Sequence, residues 1–225
     1  MGAVINAVVI VICGILGIVF KAGISERFNE RIMQGIGLCV LVLGIVGVIT
    51  VDNTIVMIVS VLLGAITGEA LKLEERLING VKKIEDRVKH LSYINNLGEG
   101  FIAATMIFCV GSMAIVGSLE SGLLDNHSTL YAKSILDGIV SILLGSSLGA
   151  GVILSSLPVL LYEGAITLLA GSMAPYLSDA VINEVVVVGS LLLIGLGLNL
   201  LEITELKIMN YVPAMLFPVI IMQFI

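Results

Sequence analysis

Residue types able to handle an ion or a proton gather in one stretch of the chain: Asp137, Ser141, Ser146, Ser147, Ser155, Ser156, Tyr162 and Glu163, with Pro158 among them. Asp137, Ser141 and Gly145 follow at intervals of four, which on a helix places them on one face. The surrounding sequence is apolar, and an ionisable group in hydrocarbon is costly unless it faces protein or water, so such groups mark candidate pathways. Glu163 lies midway along an apolar run between Ser155 and Ser178 and implies a buried acid or a water-filled cavity. Asp137 has a plainer alternative, an ion pair with Lys133 one helical turn before it. Pro158 cannot donate a backbone N–H, so a break is expected near Ser155 and Ser156. Carbonyls freed there either coordinate an ion or substrate headgroup or are satisfied by the serine hydroxyls. Glu69, Glu184 and Glu202 fall at the ends of apolar runs and are expected to be solvated.

Catalytic chemistry has no comparable support, and the expectation is that the chain is not an enzyme. It has no His-Glu-x-x-His helix, no nucleophile elbow and no histidine in an apolar run to serve a serine as base. No Gly-Lys-Ser/Thr follows the glycines, so no phosphate-binding loop is present and no cofactor is expected. His90 and His127 lie in separate polar segments and suggest no shared metal. Cys13, Cys39 and Cys109 each sit alone in an apolar run and are expected to be buried packing residues. A formal net charge of -6 without a basic, aromatic-rich patch argues against nucleic acid.

The elements that must position these residues follow from composition. Hydrophobic residues make up 58% of the 225 and charged ones 12%, against roughly 25% charged in an ordinary soluble domain. Lipid can solvate that much apolar surface while each helix closes its own backbone hydrogen bonds. Uncharged runs long enough to span occur at 1–20, 32–51, 53–71, 100–119, 185–201 and 208–225. The stretch from Lys133 to Asp179, about 68 Å at helical rise, supplies two more joined near Gly149 to Gly151. The expected fold is an all-α polytopic transmembrane helix bundle of about eight spans. The first run carries no charge before Lys21 and is kept as a span, not a cleaved signal.

Along the chain the expected organisation is 1–71 as three spans, 72–92 as a soluble amphipathic helix, and 99–225 as the remaining spans. Leu77, Val81, Ile84, Val88 and Leu91 form an apolar stripe on that helix opposite charges of both signs. It suits the inner leaflet or a second copy of itself, and the interleaved charges favour packing in a homo-oligomer over lipid attraction. With the amino terminus outside, Lys21, Arg27, Arg31, Lys72, Arg76, Lys82, Lys83, Arg87, Lys89 and Lys207 all fall on the cytoplasmic side. Only Lys133 falls outside.

Small residues recur at Gly64 and Gly68, at Gly145 and Gly149, and at Gly111, Ala114 and Gly117, spacing that lets helices approach closely in lipid. VSVLLGAITG at Val59 to Gly68 echoes VSILLGSSLG at Val140 to Gly149 in the same direction, suggesting a parallel repeat. FCVGSMAIVGSL at Phe108 to Leu119, KSILDG at Lys133 to Gly138 and SSLPVLLYEGAITLLAG at Ser155 to Gly171 resemble the YqgA/YdfK-like family of bacterial membrane proteins. So do the opening GAVINAVVIVICGILG and the later GSLLLIGLGLNLL. The resemblance implies a multi-pass protein of the bacterial plasma membrane; that family's function is unknown and it supplies no catalytic residue. The functional expectation is transport of a small solute or ion along the polar residues named above. The alternative is a scaffold or sensor acting through 72–92.

Overall fold

In the computed structural model residues 1–21, 26–88 and 97–224 are described, and every regular element among them is helical. The helices are α1 (Gly2–Lys21), α2 (Glu26–Ile49), α3 (Thr54–Leu71), α4 (Leu73–Val88), α5 (Leu97–Val110), α6 (Ser112–Leu123), α7 (Ser128–Leu148), α8 (Gly151–Leu154), α9 (Ser156–Met173), α10 (Asp179–Leu200) and α11 (Phe217–Ile221). A 3-10 turn, Ala174–Tyr176, extends α9, and a longer 3-10 segment, Ile208–Leu216, leads into α11. His90 and residues 89–92 of the expected amphipathic helix lie outside the described residues.

Among the described residues six helices are long and apolar enough to cross a membrane: Gly2–Phe20, Glu30–Ile49, Thr54–Leu71, Ser128–Leu148, Gly151–Tyr176 and Asp179–Leu200. Large apolar side chains such as Leu38, Leu62, Leu161 and Leu168 point outward along them, an arrangement stable in lipid and not in water. The chain is an all-α multi-pass membrane protein.

Two expected spans take a different form. The run at 100–119 is a pair of helices, Leu97–Val110 and Met113–Leu123, bent by 61°. The bend falls at Gly111, where a Gly-Ser pair weakens the helical ladder. The run at 208–225 is a short apolar segment, Ile208–Ile221, because Pro213 and Pro218 each remove a backbone donor. Between α7 and α9 the chain turns at Gly149, whose φ of 74° suits glycine.

Close contacts group the helices into two units that interleave along the sequence. The first holds α1, α7, α8 and α9 with most of α5 and α6; the second holds most of α2, then α3, α10 and the C-terminal segment. In the first, α1 and α7 run in the same direction: Gly2 lies beside Leu130, and a Cβ on Gly145 would come 2.7 Å from the Gly14 carbonyl oxygen. In the second, Gly64 and Gly68 of α3 face Ala214 and the Asn210 backbone, and a Cβ on Gly44 would come 2.7 Å from the Ser190 carbonyl oxygen. Absence of a side chain at these positions is what brings backbones into contact where lipid removes the hydrophobic drive.

The two units share a building plan. Ala-Val-Ile-Asn-x-Val-Val occurs at 3–9 in α1 and again at 180–186 in α10. The α1 copy packs beside α7, which carries Ser141 and Gly145 and ends just before Gly149; the α10 copy packs beside α3, which carries Ser60, Gly64 and Gly68 at the same spacing. In both pairs the helices start at the same end, since Glu184 near the start of α10 meets Asp52 and Asn53 at the start of α3.

Candidate buried charge network

Among the polar side chains buried in the first unit, four from three helices meet one another. Asn6 on α1 is 0% exposed, Lys133 and Asp137 on α7 are 4% and 7%, and Glu163 on α9 is 0%. The nine steps from Ser128 to Asp137 rise about 14 Å, and the ten from Glu163 to Met173 about 15 Å, so both acids sit near the middle of their helices.

The Asn6 amide donates through Nδ2 to Asp137 Oδ2 at 2.9 Å and to Glu163 Oε1 at 2.8 Å. The Lys133 ammonium donates to that same Asp137 oxygen and lies 3.3 Å from that same Glu163 oxygen. Its Nζ also stands 5.9 Å from the centre of the Phe108 ring, a favourable position for a cation. Because both neighbours of the Asn6 amide nitrogen are acceptors, the orientation of that amide is fixed with Nδ2 toward the two carboxyl groups.

That oxygen, Asn6 Oδ1, is buried without a donor, as are Glu163 Oε2 and the Ser141 hydroxyl one turn beyond Asp137. Two carboxyl groups share one ammonium, which leaves one negative charge unbalanced when both are ionised. Buried charges persist when paired and hydrogen-bonded, so the surplus calls for a proton or another cation.

The other expected residues fall at a second level, around the α7–α9 turn. Ser146 donates to Leu143 O, Ser155 to Val152 O and Ser156 to Ile153 O, at 2.8, 2.6 and 2.7 Å. The hydroxyls around the break therefore serve nearby backbone carbonyls. Ser147 is buried, whereas Pro158 and Tyr162 are half-buried. The structure thus joins Asp137 and Glu163 through side chains, while Ser146, Ser155 and Ser156 bond the backbone of the turn.

Two members of the network were not among the expected site residues. Lys133, expected on the outer side and as a pair for Asp137, makes that pair from inside α7 and bridges to Glu163 as well. Asn6 had a legible signal, as the sole amide in the first apolar run and part of the motif repeated at Asn183.

Two expectations are corrected. Glu184 is fully buried, because one of its oxygens accepts the backbone N–H groups of Asp52 at 3.1 Å and Asn53 at 2.6 Å. Those donors open α3, where a carboxylate is favoured. The neighbouring Asn183 donates to Thr50 O and Asp52 Oδ2. In the second unit the repeated motif therefore holds a turn, with no lysine in its hydrogen bonds. The cysteines are not buried: Cys39 is exposed and Cys13 and Cys109 are half-buried. A thiol behaves as a small hydrophobe and is as compatible with lipid as with a core. Among the described residues no group of three or more His, Cys, Asp or Glu side chains could hold a metal ion.

Residues 1–223 match a family described as "Protein of unknown function (DUF554)". An "Uncharacterized membrane protein YdfK" from Bacillus subtilis (strain 168) is 32% identical over 224 residues, covering 98% of this chain and 94% of the relative. An "Uncharacterized protein YqgA" from Escherichia coli (strain K12) is 29% identical over 223 residues, covering 96% and 93%. No solved structure matches.

Proposed function

We propose that this chain, which belongs to the DUF554 family, moves a small solute or ion across the bacterial plasma membrane through its first unit. The observation that carries the proposal is the buried network of Asn6, Lys133, Asp137 and Glu163, in which two carboxyl groups at mid-helix share one ammonium. A cluster needed only to join helices would be expected to close its charges and donors. This one leaves acceptors open, as a pathway exchanging protons or ions requires.

The protein performs no covalent chemistry on this reading, and its amino terminus faces outward. The burial of Lys133 supports that orientation: the one basic residue on the wrong side is not a loop charge and drops out of the positive-inside comparison. A homo-oligomer formed through 72–92 is compatible with the same proposal.

The test is flux in liposomes reconstituted with purified protein, screened with protons, monovalent ions and small anions. Transport should appear for at least one of these and should fall in Asp137→Asn and Glu163→Gln. Absence of flux for all of them would remove the proposal. Deleting 72–92 separates it from a scaffold acting through that helix, since a transporter keeps its flux and a scaffold loses its association.

A further inference from the structure

We infer that the first unit binds one monovalent cation on the oxygens that its buried network leaves without donors. As a statement about cargo or coupling ion this rests on the transport reading, whereas as a binding site it stands on the buried, unpartnered oxygens and the charges beside them.

The sign of the ligand follows from what remains unspent. The Lys133 ammonium and the Asn6 Nδ2 group are both engaged by the two carboxyl groups. Left over are Asn6 Oδ1 and Glu163 Oε2, both pure acceptors, and the Ser141 hydroxyl, which can accept. An anion would meet these oxygens unfavourably. A carboxylate, an amide carbonyl and a hydroxyl are the hard oxygen donors that alkali and alkaline-earth ions take.

The charge of the ligand follows from the count. With both carboxyl groups ionised, two carboxylates and one ammonium sum to a single negative charge, which one monovalent cation cancels in place of a proton. A divalent ion would leave the buried site positive, and it would want six or more oxygens, often with further carboxylates. Glu184 offers no comparable site: its one engaged oxygen is fixed by two backbone donors at the start of α3, and it has no unspent amide beside it, since both ends of Asn183 are occupied.

The experiment is equilibrium binding of radioactive sodium and rubidium ions to the purified full-length chain in detergent. Saturable binding of about one ion per chain is expected for at least one of the two, and Glu163→Gln should weaken it about tenfold or more. Glu202→Gln, an exposed acid far along the sequence, should leave it unchanged. Melting of the unmodified protein in sodium, potassium or choline chloride at equal ionic strength gives a readout that needs no variant. It should show saturable stabilisation by one alkali ion over choline. No saturable binding and identical melting in the three salts would overturn the inference, and transport of some other solute by the same preparation would then leave the proposed function standing. Binding without flux would uphold the site and sink the transport reading.

Discussion

Lys133 stands between two carboxyl groups with almost no access to solvent, and its removal has a defined energetic consequence. Truncating one partner of a buried charge cluster costs about 3–5 kcal/mol, because the charges left behind lose their compensation. Lys133→Met should therefore lower the melting temperature in detergent sharply. Adding Asp137→Asn to that variant should recover part of the loss by deleting one stranded charge, so the double variant melts above the single one. Equal melting of the two would mean that Asp137 and Lys133 are not coupled. At this scale the sequence showed the acids, since Asp137 and Glu163 interrupt apolar runs. It did not show their shared donors. The burial of Lys133 is not legible, because a lysine near a helix start is ordinarily solvated and its partner Glu163 comes from α9, distant in sequence.

Among elements, the pairing of α1 with α7 depends on small residues more than on any polar contact. A side chain at Gly145 must displace the Gly14 carbonyl, 2.7 Å from the Cβ position, whereas Gly164 on α9 has nothing within 4 Å. Gly145→Val is expected to reduce folded yield and melting temperature, and Gly164→Ala to leave both unchanged or slightly raised. Similar losses in the two variants would show that glycine acts through the helix backbone and not through packing. The start of α4 supplies a pH-dependent contact. Glu74 accepts from Met209 N, and Asn210 Oδ1 accepts from the Glu74 N–H. Burial raises the Glu74 carboxyl above its usual 4.5, with the Met209 N–H and Lys207 pulling the other way. A raised folded value means that its contribution is complete below the usual carboxylate range and is lost as pH climbs through the raised value. Amide protection at the start of α4 should accordingly fall across that interval, and Glu74→Gln should flatten the dependence. The helices themselves were legible from apolar length, as was the turn near Gly149. The bend at Gly111 and the broken C-terminal segment were not, because composition counts apolar residues without weighing a Gly-Ser pair or two prolines.

For the molecule as a whole, interleaved units explain why a linear division into runs gives little idea of which helices touch. The α7 helix takes its partner from the beginning of the chain and α3 takes partners from the end. The echo between Val59–Gly68 and Val140–Gly149 was visible in sequence and marked one helix of each unit. The second echo, at 3–9 and 180–186, identifies their partners, and only the contacts of Asn6 and Asn183 give it meaning. The same motif thus stands beside Lys133 in one unit and beside Asp52 in the other, a difference that separates a site with a surplus charge from a capped turn. If the proposed orientation holds, tags at the amino terminus and in the exposed turn at Asn126 are reached by impermeant reagents on intact cells, and a tag within 72–88 is reached only after lysis. Labelling in the reverse pattern would invert the topology.

The most direct measurement is the reactivity of position 163 toward a charged, membrane-impermeant thiol reagent. It uses Glu163→Cys in a chain whose Cys13, Cys39 and Cys109 have been replaced by alanine, held in native membranes. A pathway that opens to water predicts labelling from at least one side, although residue 163 is closed off here. Complete inertness from both sides, in protein shown to be folded, would contradict it and leave the network as a sealed structural joint.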